Sequence, residues 1–116
     1  MRLTKGSAYI RAVDAALRAL ADPTRRRILE LVRSDELAAG EIAQHFDTSR
    51  PAVSQHLRVL VDAGLLEQRR QSTRLLYRAR AEGLDEVRQY LDGFWSFGLQ
   101  RLKRAVEHDT GRRSHP

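Results

Sequence analysis

Apolar positions recur along this chain at two spacings, and the change of spacing divides it into elements. Ile10, Val13, Leu17 and Leu20 fall at helical intervals, with Arg11, Asp14 and Arg18 on the opposite side, and predict a first helix over 8–21. A second helix is marked by chemistry as well as by period. Asp22 is an N-cap, Pro23 takes the first helical position, and Ile28, Leu29, Leu31 and Val32 face inward. Arg25, Arg26 and Arg27 stand near that N-terminus, where the helix dipole disfavours cations, so at least two of them are expected in internal or solvated roles. Ser34, Asp35 and Glu36 form a connection.

Residues 39–64 carry the pattern that organises the rest. Ile42, Ala43 and Phe46 give a short helix an apolar face, and Asp47, Thr48 and Ser49 then supply turn chemistry. Ser49 caps a further helix with Pro51 in its first turn, and Val53, Leu57, Leu60 and Val61 form its buried stripe. Ser54, Gln55 and Arg58 project away from that stripe. Two short helices, a tight turn and an outer face of hydrogen-bonding side chains predict a helix-turn-helix. The plain alternative is a helical hairpin whose outer face is merely solvated.

Gly64 sits where a helix C-terminus wants a left-handed residue. The period then changes from 3.6 to 2. LLEQRR and RLLYRAR predict two strands, a wing over 65–80, with Leu75 and Tyr77 on one face and Arg74, Leu76 and Arg78 on the other. Its tip, Gln71, Ser72 and Thr73, lacks glycine, so a loop longer than two residues is expected. Gly83 opens a last helix over 83–108, striped by Leu84, Val87, Leu91, Phe94, Trp95, Leu99, Leu102 and Val106. Gly98 costs about 1 kcal/mol relative to alanine inside a helix and makes sense where another backbone crosses. The tail, 109–116, reads as disordered, and 1–7 as frayed. The sum is one domain over 1–116, mainly α with a small β-hairpin: a winged helix-turn-helix.

Charge sharpens this picture. The net charge is +6 and the isoelectric point about 10.7, which suits a polyanionic partner. From Arg50 to Arg80 there are seven arginines against Asp62 and Glu67, a local net of +5, so most of the positive charge falls on the helix-turn-helix and wing. The chain has no cysteine, which excludes disulfides and thiolate metal sites. No apolar run approaches the roughly 18 residues of a membrane span, and no signal-peptide core is visible, so a cytoplasmic location is expected. Nor is there a nucleophile–base set. Ser54 and His56 lie two apart on a helix and cannot face each other, and no enzymatic activity is expected.

Within the motif, Ser54, Gln55 and Arg58 are the candidate base readers, since arginine fits guanine and glutamine fits adenine in the major groove. Thr48, Ser49 and Arg50 at the helix entry suit phosphates, although Ser49 serves equally as a simple cap. His56, on the flank, has two readings of equal weight: a DNA contact, or a packed residue bonded to a neighbouring group. Arg69, Arg70 and Arg74 would reach the DNA backbone or minor groove from the wing. Tyr90, Phe94, Trp95 and Phe97 suit dimer core better than an organic effector pocket.

ALADPTRRRIL at 19–29, GEIAQHF at 40–46, SRPAVSQHLRVLVDAGLL at 49–66 and RLLYR in the wing together resemble the ArsR-type (arsenic-repressor) winged-helix regulators, over about 8–106. The resemblance implies a transcriptional repressor of double-stranded DNA, usually released by a ligand. It also implies a homodimer through the first and last helices, assigned here to Ile10, Val13, Leu17, Leu84, Val87, Leu91, Phe94, Trp95 and Leu102. Members that bind arsenic or heavy metals use a Cys-x-Cys, and Ala38 and Gly40 stand at the aligned positions. Zinc sensors use Asp and His pairs on the last helix, a spacing that Asp85, Asp92, Glu107 and His108 do not reproduce. No metal cofactor is therefore expected, and the effector, if a small molecule, is unspecified. Ala38 also forgoes the Ser or Thr that would complete a capping box with Glu41. The competing function is a winged-helix protein-interaction module that meets an acidic partner.

Overall fold

A computed structural model describes the backbone of residues 5–113 and the side chains of 8–108. The elements follow in the order α1 (Lys5–Leu20), α2 (Pro23–Leu31), β1 (Leu37–Ala38), α3 (Ala39–Ala43), α4 (Arg50–Asp62), β2 (Leu66–Gln71), β3 (Arg74–Ala79) and α5 (Ala81–Arg113). It is a mainly helical fold with a three-stranded antiparallel sheet: a winged helix-turn-helix.

The start of α2 is built as its sequence predicts. The Asp22 carboxylate accepts from the Thr24 and Arg25 N–H groups at 2.8 and 3.1 Å, with Pro23 opening the helix. The arginines that follow are spent internally. Arg25 donates to the Ala19 and Arg18 carbonyls at 2.6 and 3.1 Å, and Arg26 to those of Leu20 and Ala21 at 2.8 and 3.2 Å. They thereby satisfy the orphan carbonyls at the end of α1, where the dipole favours cations. Arg27 lies over the Phe46 ring, 5.8 Å from its centroid.

Ile28, Ile42, Val53, Leu57, Leu60, Leu65 and Leu66 are almost wholly buried and form the core beneath the helix-turn-helix. On β3 the half-buried Tyr77 and Ala79 pack against this core from one face, and Leu76 on the opposite face is buried as well. Burial of this order is worth about 1.5–3 kcal/mol per large side chain and fixes α4 against the body.

The wing departs from expectation in two ways. β3 lies in the centre of the sheet, between β2 and the short β1, with Leu37 opposite Tyr77 and Ala38 opposite Leu76. The segment before the helix-turn-helix is thus a third strand, too short at two residues to show a period. The tip is also tighter than expected. Gln71 pairs with Arg74, leaving Ser72 and Thr73 as a two-residue turn in which Ser72 takes φ +57 in place of glycine.

Helix α5 starts at Ala81, its first turn closed by the Leu84 N–H on the Arg80 carbonyl at 3.2 Å. Gly83 is therefore inside the first turn, and it is there for space. A β-carbon on it would lie 1.9 Å from the Gly64 carbonyl oxygen. Gly64 itself takes φ +76, the left-handed end of α4 that its position predicts. Arg80 completes the junction, its N–H on the Leu65 carbonyl at 2.8 Å and its guanidinium on that of Gly64 at 3.2 Å. At the other end α5 continues helically through 109–113, where disorder was expected, and 114–116 fall outside the described residues.

Candidate nucleic-acid interface

The outer face of α4 is set by what its inner face buries. With Val53, Leu57 and Leu60 in the core, the 3.6-residue period leaves Ser54, Gln55 and Arg58 exposed together on the far side. Thr48, Ser49 and Arg50 are exposed at the helix entry. Ser49 does cap: its Oγ accepts from the Ala52 N–H at 3.3 Å, which still leaves the hydroxyl proton to donate outward. His56 turns to the body. It is half-buried, with Nδ1 3.4 Å from Arg25 Nη1, so the packed reading describes that nitrogen.

The wing arginines are less available than their number suggests. Arg69 makes a two-point pair with Glu36, Nε to Oε2 at 2.9 Å and Nη2 to Oε1 at 2.8 Å. Arg74 is paired with Glu41, and Arg78 with Glu67 across the hairpin. The guanidinium beside Glu36 holds that carboxyl below the usual range, while Arg69 is itself pushed up by the same contact. Among the described residues Arg50, Arg58 and Arg70 have no ion pair. Glu36 and Glu41 had no functional signal in the sequence. Each lies 33 residues from its arginine, a separation that no local charge pattern reveals. Glu41 has a second role, accepting from the Ala38 N–H at 2.9 Å. That is half of a capping box, the half that survives an alanine at the cap.

The expected dimer strip divides in two. Val13 and Val87 are buried already within the single chain, and the half-buried Leu17 and Leu84 pack against its core, with Leu84 and Val87 at the edge of the open apolar groove of α5. The cause is geometric: the first two turns of α5 lie on α1, where the Tyr9 hydroxyl donates to the Glu86 carbonyl at 3.3 Å. Ile10 and the residues further along α5 are open. Leu91 is 50% exposed, Phe94 62%, Trp95 68% and Leu102 59%. Among the described residues, the helix's own backbone and the adjoining residues aside, nothing lies within 4 Å of a β-carbon built on Gly98. Tyr90 and Phe94 meet edge to face, centroids 5.1 Å apart.

Asp85 and Asp92, weighed as metal ligands, both bind Arg88, which donates to them at 2.7 Å. Asp85 is held below its ordinary pKa chiefly by that bond. Among the described residues no three His, Asp or Glu side chains gather as a metal site would require. No described helix is long and apolar enough to cross a membrane.

A buried-faced helix presenting polar side chains beside a basic hairpin defines a winged helix-turn-helix of the DNA-binding kind. Residues 20–69 match the family model for a helix-turn-helix domain. The chain is 42% identical over 99 residues to the HTH-type transcriptional regulator Rv2034 of Mycobacterium tuberculosis, covering 85% of this chain and 92% of that one. It is 33% identical to the transcriptional repressor SdpR of Bacillus subtilis, over 74% of this chain and 96% of the relative. Among solved structures it resembles the homodimeric winged helix-turn-helix DNA-binding domain of Mb0332 from Mycobacterium bovis, a possible ArsR-family regulator. The TM-score there is 0.64 and the identity 28%, over 84% of this chain and 89% of that one. The protein belongs to the ArsR family of winged helix-turn-helix transcriptional regulators, which are DNA-binding proteins and not enzymes.

Proposed function

We propose that the protein is a homodimeric repressor that reads an inverted-repeat operator. The observation that carries this is the outer face of α4, where Ser54, Gln55 and Arg58, the last without an ion pair among the described residues, stand exposed over a fully buried inner face. In this reading Ser54, Gln55 and Arg58 meet base edges, while Thr48, Ser49 and Arg50 position the helix on phosphates. His56 offers only its remaining ring nitrogen, and Arg70 is the wing arginine most ready for the backbone. The repressor named among the relatives and the homodimer among the solved structures support the two parts of the proposal. Any effector is a ligand other than a thiolate-bound metal, since the chain offers no thiol.

Selection from a random duplex pool, followed by titration of the selected site, tests the reading head. Arg58→Ala should weaken that site by about 1–3 kcal/mol and relax preference at one base pair per half-site. Equal loss on all sequences would remove Arg58 from base reading. Salt-independent binding, or none, would favour the acidic-partner alternative.

A further inference from the structure

We propose that Glu36 and Glu41 are built-in competitors for the DNA phosphates: they occupy Arg69 and Arg74 in the free protein and so restrain binding to DNA of the wrong sequence. This rests on the DNA-binding reading above. Two of the three wing arginines that the sequence offers to the backbone are held by carboxylates. Both carboxylates come from one stretch, 36–41, just ahead of and within α3, and reach across to the hairpin. A carboxylate presents the same pair of oxygens to a guanidinium that a phosphate does, and the two-point contact of Arg69 on Glu36 has the form an arginine–phosphate contact takes.

The pairs are also accessible to exchange. The side chains of Arg69 and Glu36 are 49% and 26% exposed, and those of Arg74 and Glu41 55% and 46%. Exposed pairs of this kind are weak. A phosphate brought close by a correctly seated recognition helix therefore displaces the carboxylate, whereas a poorly seated one meets an arginine already satisfied. The held pairs subtract from the electrostatic part of binding, which is the part that carries no sequence information. Arg70, between them in sequence and without an ion pair among the described residues, supplies attraction that is not gated.

The test uses the full chain and a labelled 30-base-pair duplex of mixed sequence, titrated over a salt series, with thermal melting to confirm each fold. Glu36→Gln and Glu41→Gln keep the shape of the side chain, and glutamine at 41 still accepts from the Ala38 N–H. The double variant should bind the mixed duplex at least about tenfold more tightly than wild type near 0.1 M salt. Its salt slope should steepen by roughly 0.9 for each arginine released, close to two in all. A cycle guards against a merely structural effect. Arg69→Gln should change affinity little in the wild-type background and severalfold in the Glu36→Gln background. If the double variant matches wild type in affinity and slope, or if Arg69→Gln costs the same in both backgrounds, the competition is absent. A wild type that binds no duplex at any salt overturns the DNA-binding reading itself, and this inference with it.

Discussion

Gly83 is the residue at which the fold has least room. Its neighbour is the backbone oxygen of Gly64, which cannot rotate aside as a side chain would. Gly83→Ala should therefore destabilise the protein by at least about 2 kcal/mol, read as a lowered melting temperature. The same substitution at Gly98 meets open space within the chain and should be tolerated in the monomer. At this scale the sequence was legible where the cause is local. The Asp22 cap, the Ser49 cap and the left-handed Gly64 all follow from residue type and position. Ser72 was not legible, because a serine at positive φ is tolerated only when the strands on either side impose it. Glu36 and Glu41 were hidden for a related reason: their partners are brought to them by the fold alone.

Among the elements, α2 depends most visibly on one end. Asp22 satisfies two N–H groups, and chiefly the bond from Arg25 holds its carboxyl below the ordinary aspartate range. A carboxylate with a depressed folded pKa stabilises the fold fully above its unfolded value, and that contribution is lost as pH falls through the folded one. Melting followed from pH 7 down to pH 2 should show wild type losing this increment in the acid range. Asp22→Ala should cost about 0.5–2 kcal/mol at neutral pH and lose correspondingly less on acidification. Equal acid sensitivity in both proteins would place the effect elsewhere. The helices were readable because period and caps coincide, whereas β1 was not. A two-residue strand has no period, and Leu37 and Ala38 become a strand only because β3 lies alongside them.

The whole molecule is extended for its size. Its radius of gyration is 20.2 Å, against about 13 Å for a compact domain of this length. The excess comes from α5, whose 33 residues carry it beyond the body with an apolar face uncovered. A second copy is the occupant we propose, and pairing would set the two recognition helices about one DNA turn, roughly 34 Å, apart. Leu91→Glu with Leu102→Glu should give a monomer by sedimentation and abolish tight operator binding, with both residues outside the buried core and Arg58 intact. Wild type that sediments as a monomer at micromolar concentration, yet binds its selected site tightly, would defeat the dimer mechanism. The sequence marked the apolar stripe but not the point at which it opens to solvent. Period alone does not tell where α5 leaves the shelter of α1.

The contact between Gly64 and Gly83 has a mechanical meaning at this last scale. It clamps the end of the reading helix to the start of the long helix, and Arg80 bolts the joint with bonds to two successive carbonyls. The two backbones meet there with no room for a side chain between them. If the joint holds, each reading head in the proposed dimer moves with its α5, and the angle between the two long helices becomes the caliper setting between the heads. A tilt of about 10° acting over an arm of about 20 Å moves a head by ~3.5 Å, the rise of one base pair. A ligand that wedges the long helices apart by that little would put both heads out of step with a fixed pair of half-sites, without touching any residue that reads DNA.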